Sequence, residues 1–200
     1  RGVMSSIGVT PTSARGVDAL VDAALCVADD LCIMMSDADG MPRLVAAVLC
    51  SPGRWRLAEK IGGTMASIHM PVARYDIDLD SPVNAVLKRM NVEKPMWRTN
   101  WGISNHPALF QPDNPPHTPD MDIADMWFRT EWQTLRRLSE TGAILFTIRT
   151  YVEKLSDFIT RDYAVVHDIG DIINKIPVDV AQYKSIAPYR ERIFEYFSAR

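Results

Sequence analysis

The stretch that most constrains this chain is MWFRTEWQTLRRL (126–138), followed across Ser-Glu-Thr-Gly by AILFTIRTYVEKL (143–155). Both runs are rich in Thr, Trp, Phe and Ile, whose branched or aromatic side chains suit a pleated surface. A short glycine-containing connector between two such runs predicts a long β-hairpin. A second hairpin is expected where LCIMMS (31–36) and LVAAVLC (44–50) flank DADGMP (37–42), with Asp-Gly and Pro in the connector. Both of its strands are apolar on both sides, so this part of the sheet is covered on both faces or lines a pocket. WRTNWGIS (97–104) supplies a further strand.

Helical spacing predicts the other elements. VDALVDAALCVADD (17–30) places Val17, Leu20, Val21, Ala24, Leu25 and Ala28 on one face. RWRLAEKIGG reads as a short amphipathic helix stopped by Gly62-Gly63. SPVNAVLKRM (81–90) opens on Ser81 as N-cap and Pro82 in the first turn. Residues 156–175 and 179–198 read as closing helices, and QPDNPPHTPD (111–120) as an exposed irregular loop. The first 15 residues lack periodicity and read as a mobile lead-in. The expectation is one α+β domain over 16–200: about five strands in a mostly antiparallel curved sheet, flanking helices, and a C-terminal helical extension over 156–200. Such a sheet is a good container for a flat apolar cofactor.

Composition narrows the function. A chain of 200 residues with net charge −3 and scattered Lys and Arg has no electrostatic footprint for nucleic acid. No apolar run reaches the roughly 18–20 residues of a membrane span. The chain opens on Arg1 with neither leader nor initiator methionine, which reads as a fragment of a cytoplasmic protein. Cys26, Cys32 and Cys50 are expected to be buried free thiols in a reducing compartment, not a disulfide frame or a zinc site. There is no Gly-rich phosphate loop, HExxH or GxSxG elbow, so nucleotide binding is not expected.

Of four histidines, His106 and His117 lie beside prolines and read as solvated, and His167 as a helix-surface residue. His69 is different. In ASIHMPVARY (66–75) it sits between Ile68 and Met70, ahead of Pro71-Val72. A histidine in that setting either shares both ring nitrogens with nearby backbone or holds a metal. Haem iron is the metal that needs only one protein ligand and a dry pocket. On the long hairpin, alternation puts Arg129, Glu131 and Gln133 on one side with Trp127 and Leu135, while Thr147, Arg149 and Tyr151 share a face of the partner strand. These are either solvent-facing ion pairs or the wall of a pocket, where an arginine holds an acid group and a carboxylate with a phenol orients a cation. Arg98, Asn100 and Trp101 invite the same two readings.

Four blocks in one order, VLCSPGRWRLAEKIGGTMASIHMPV, WRTNWGIS with LFQP, RTEWQTLRRLSETGAILFTIRTYVEKL, and KIPVDVAQYKSI, resemble the haem-dependent oxidative N-demethylase family. The resemblance covers roughly residues 29–190 and implies a PAS-like fold holding haem b. It also implies oxidation of a small secondary amine such as dimethylamine to primary amine and formaldehyde. Oxygen would be the oxidant, with NADPH electrons arriving through a flavin and iron–sulfur reductase on a partner subunit. Its Ile-His-x-Pro-Val element falls on Ile68, His69, Met70, Pro71 and Val72, making His69 the expected axial ligand. Arg98, Trp101 and Arg129 are then expected beside the cofactor. Glu131, Arg149 and Tyr151 are expected to position an ammonium group or steer protons. The sequence departs from the family pattern at Ala73, Trp132 and Ser139, which bears on amine specificity. The competing reading is a haem-holding PAS-like sensor of a gas or redox state without turnover, and a third is a scaffold that has lost its haem.

Overall fold

The long hairpin forms. β4 (Trp127–Arg137) and β5 (Ile144–Lys154) pair antiparallel from Trp127 opposite Lys154 to Arg137 opposite Ile144. The turn closes through the Leu138 N–H donating to the Ala143 carbonyl at 2.8 Å, with Gly142 at φ 70°. In this computed structural model, which describes residues 14–161 and 163–199, the hairpin is the centre of one open five-stranded sheet in the order β2-β1-β5-β4-β3. β1 (Asp29–Ser36), β2 (Pro42–Val48) and β3 (Met96–Ser104) all join antiparallel. The β1–β2 turn is held by Asp37, whose Oδ1 accepts the N–H groups of Asp39 and Met41. The fold is α+β, as expected.

Because directly opposed residues share a face, the register sorts every strand side chain. The first face carries Asp30, Cys32 and Met34, Ile144 to Thr150 at even positions, Arg129 to Leu135 at odd positions, and Arg98 and Asn100. α3 (Met65–His69) and α4 (Asp80–Arg89) cover one end of it, packing Met65, Leu87 and Met90 on Met34 and Ile144. The second face carries Ile103 and Phe128, against which the C-terminal helices build the main core around Leu155, Phe158, Ile173, Ile193 and Phe197. These helices are α5 (Leu155–Arg161), α6 (Tyr163–Lys175), α7 (Val178–Tyr183) and α8 (Arg190–Ser198).

Several boundaries differ from the sequence reading. The first helix, α1, spans Val17–Ala24 only, because the chain enters β1 at Asp29, paired with Arg149. α2 (Leu57–Lys60) is a single turn. α4 starts at Asp80 without a side-chain cap, so Ser81 lies within its first turn, and a π-helical turn at Tyr75–Leu79 leads into it. The run 179–198 is broken where Ser185 takes φ 55° and Pro188 interrupts the backbone donors. Cys32 is buried, its thiol pushed up to about 12 by desolvation, but Cys50 is exposed, so the thiols are not uniformly interior. Of the lead-in, residues 1–13 lie outside the described residues.

Gly62 and Gly63 do more than stop α2. They dock on the sheet edge: the Gly62 N–H donates to the Leu44 carbonyl at 2.7 Å, and the Leu44 N–H to the Gly63 carbonyl at 3.1 Å. α3 then starts at Thr64, whose Oγ1 accepts the Ser67 N–H. A Cβ at Gly63 would stand 2.7 Å from Ile68 and Ser67 side-chain atoms and 2.9 Å from the Lys60 carbonyl, whereas one at Gly102 would meet nothing within 4 Å. Gly63→Ala is therefore expected to lose about 1–3 kcal/mol in urea unfolding, and Gly102→Ala to stay close to wild type.

Candidate functional site

His69 ends α3, half-buried, with its ring stacked on Tyr75 at 4.5 Å between centroids and 8° between planes. Its Nδ1 lies 2.9 Å from the Met65 carbonyl oxygen. A carbonyl can only accept, so Nδ1 carries the proton and Nε2 keeps its lone pair. Among the described residues no hydrogen bond reaches Nε2. Burial, helped by Arg98 and Lys60, holds the imidazole below its ordinary value against the pull of the Met65 bond, so the ring is neutral. Tyr75 is 4% exposed, and its hydroxyl is buried without a partner among the described residues. Burial first, then Asp80, raises its phenol. The helix turn thus presents one basic ring nitrogen and one unsatisfied hydroxyl.

Across the first face, Glu131 accepts from Gln133 Nε2 at 2.9 Å, and from Asn100 Nδ2 and Arg129 Nε at 3.4 Å. Arg98, exposed at the β3 edge, donates from Nε to Gln133 Oε1 at 2.7 Å. A chain of polar groups therefore runs from Arg98 through Gln133 to Glu131, with Arg98 also acting electrostatically on His69. Next to Glu131 a cavity of about 280 Å³ wraps the free edge of β3 and reaches Pro71, two residues past His69.

Arg129 is 8% exposed, and its guanidinium is largely spent on the protein itself. It donates to the Ser51 carbonyl at 2.5 Å, the Leu109 carbonyl at 3.1 Å, Glu131 and the Thr150 hydroxyl. Asp30, 1% exposed, grips the same loop from the other side: its Oδ1 accepts the N–H groups of Cys50 at 2.6 Å and Ser51 at 2.9 Å. Gly53 lets this loop lie on the site, since a Cβ there would come 3.1 Å from Glu131 Oε1.

The structure brings together only part of the expected constellation. His69, Arg98, Arg129 and Glu131 belong to the first face and its cover. Trp101 projects to the other face, stacked on Phe128 at 5.9 Å and packed against the main core, and still lines the cavity at the β3 edge. Arg149 and Tyr151 are not gathered with Glu131. Glu131 opposes Thr150, so its neighbours 149 and 151 point through the opposite face. There Arg149 pairs with Asp29 at 3.3 Å and lies over the ring of Tyr151, which is 55% exposed. His106, His117 and His167 are exposed, as expected. Tyr75, Asp30, Arg54 and Lys184 escaped the sequence reading. Only Tyr75 had a readable signal, an aromatic six residues past His69.

The sequence matches, over residues 5–194, the family described as haem-dependent oxidative N-demethylase, alpha subunit-like. The chain belongs to that family. The donor set fits the haem that this family implies. His69 offers a neutral imidazole with Nδ1–H fixed on a carbonyl, the arrangement that orients an axial ligand. Beside it, the orphaned Tyr75 hydroxyl marks a partner missing from the protein itself. Among the described residues no group of three or more His, Cys, Asp or Glu is placed to hold a bare metal ion, and no helix is long and apolar enough to cross a membrane.

The Asp30 clasp has a measurable consequence. Asp30→Ala strands two part-buried backbone donors and is expected to cost about 1–3 kcal/mol, while Asp30→Asn keeps the Oδ1 acceptor and costs less. Burial raises the Asp30 carboxyl above its ordinary 3.8, more than the Cys50 and Ser51 N–H groups lower it. The folded state therefore binds the proton more tightly, and wild-type stability falls as pH rises from 3.8 through the elevated value. Asp30→Asn lacks this term, so its deficit against wild type should narrow across that window in unfolding midpoints measured against pH.

Proposed function

We propose that the chain is the haem-binding, substrate-oxidising subunit of a monooxygenase that removes a methyl group from a small secondary amine of the dimethylamine type. The balanced reaction takes amine, O2, two electrons and two protons to primary amine, formaldehyde and water. The electrons come from NADPH through a flavin and iron–sulfur reductase on a partner chain, for which the alpha-subunit character of the family is the support. The open antiparallel sheet supports a PAS-like haem fold, and three free thiols support a cytoplasmic setting.

The observation that carries this reading is the Nδ1–Met65 bond, which leaves Nε2 of a partly buried, neutral imidazole available as a ligand. When bound, haem b supplies the oxygen chemistry. The chain's own residues do the rest. His69 would hold the iron through Nε2, its Nδ1–H being fixed on the Met65 carbonyl. Glu131, fixed by Gln133, Asn100 and Arg129, provides a preorganised carboxylate for the substrate ammonium and a proton acceptor when that nitrogen must be neutral. Arg98 offers its unspent guanidinium donors to an acid group of the cofactor.

Purified protein titrated with ferric haem should develop a saturable Soret band. His69→Ala should weaken that binding by at least about tenfold, with partial recovery in added imidazole. Haem-loaded protein given dimethylamine, O2 and a chemical reductant should release formaldehyde, and Glu131→Gln should cut the rate while leaving the Soret titration unchanged. Haem binding without formaldehyde from any methylated amine would favour the sensor reading instead.

A further inference from the structure

The cavity at the β3 edge is lined by Arg54, Arg129 and Lys184, against a single carboxylate, Glu131, among the described residues. Arg129 is occupied by the loops it ties down. Arg54 and Lys184 are not. Arg54 donates to the Lys184 carbonyl at 2.5 Å and the Ile103 carbonyl at 3.3 Å, and Lys184 Nζ to the Trp101 carbonyl at 2.8 Å. These bonds cap two edge carbonyls of β3 and fix both side chains, yet leave most of their N–H groups without an acceptor among the described residues. No carboxylate forms an ion pair with either one there.

Holding two half-buried cations beside one shared carboxylate is costly unless a counter-charge arrives. Desolvation pulls both Arg54 and Lys184 below their ordinary values, and for Lys184 the charge of Arg54 adds to the pull. The backbone is strained at the same place. Arg54 takes φ 64° and Ser185, next to Lys184, φ 55°, conformations that non-glycine residues adopt at a cost. A second cavity of about 460 Å³ shares Arg54 and is lined by Ser185, so both strained positions border open volume.

We propose that Arg54 and Lys184 form a carboxylate-binding subsite in the cavity that Glu131 also lines. Two sources carry that chemistry: a propionate of the cofactor, or the acid group of a secondary amine that is also a carboxylic acid. In the second case the cavity selects an N-methyl amino acid, its ammonium toward Glu131 and its carboxylate toward Arg54 and Lys184. Both sources rest on the haem reading above; the subsite itself does not.

The test has three arms. Without haem, acetate should raise the thermal midpoint of wild-type protein saturably, and Lys184→Gln, which keeps a donor for the Trp101 carbonyl, should weaken the apparent acetate affinity by about tenfold or more. With haem, the Soret titration compares ferric haem with its dimethyl ester. A loss of about tenfold or more on esterification that shrinks in Lys184→Gln assigns the subsite to the propionate; the part that remains belongs to Arg98. Haem-loaded protein titrated with N-methylglycine and with dimethylamine decides the other source: tighter binding of N-methylglycine in wild type, lost in Lys184→Gln, assigns it to the substrate. No saturable acetate effect, with an ester penalty that Lys184→Gln leaves unchanged and no preference for N-methylglycine, overturns the subsite. A wild-type protein that binds no haem sinks the proposed function alone, because the acetate arm still decides the subsite.

Discussion

The register of the β4–β5 pairing governs everything the sheet can do. Eleven residues of each strand are opposed without a bulge, so side-chain parity is fixed along the whole hairpin. Glu131 and Gln133 share a face with Thr150 and Ile148 and reach across to Arg98 and Asn100 on β3. A slip of one residue would send this polar row to the face that carries Phe128 and the C-terminal helices. The main core prevents that slip, because Phe128, Met126 and Leu155 are buried at the base of the hairpin. Packing on one face therefore holds the polar chemistry on the other.

Buried charge is then used to fasten loops to that frame. Arg129 and Asp30 hold the two peptide units that flank Ser51, one by its carbonyl and the other by its N–H. Arg137 does similar work at the other end of β4, donating to the Leu87 carbonyl at 2.5 Å and the Met90 carbonyl at 2.9 Å and so tying α4 to the sheet. These arginines are positional anchors. Bidentate and multidentate guanidinium bonds to backbone carbonyls suit that task. The consequence for function is that α3 and the loop after β2 are held over the first face, where the cavity beside Glu131 reaches Pro71, two residues past His69.

Much of the fold was legible in the residues. The hairpins, the third strand and the α+β arrangement follow from β-branched runs and their turn residues, signals that depend on local chemistry. Helix ends were less legible, because Asp29 and Ser185 are set by long-range pairing and backbone strain. Of the site, His69 stood out as a polar ring in an apolar run. The grouping of Glu131 with Arg149 and Tyr151 failed on parity. Each strand was read for its own alternation, but which residue opposes which depends on the turn between them, and Glu131 meets Thr150. Arg54, Lys184 and Asp30 carry no local signal. They sit in loops or at a strand start, and their roles come from contacts 20 to 130 residues away in the chain. Trp101 could equally have lined a pocket or a core, and it does both, stacking on Phe128 while lining the cavity at the β3 edge.

The central claim is that Nε2 of His69 is a metal-binding nitrogen. Electron paramagnetic resonance on haem-loaded protein labelled with ¹⁵N-histidine tests it most directly. An imidazole ¹⁵N coupling to the ferric iron in wild type that disappears in His69→Ala is the expected result. A coupling that persists in that variant, or none in the wild-type protein, would contradict it.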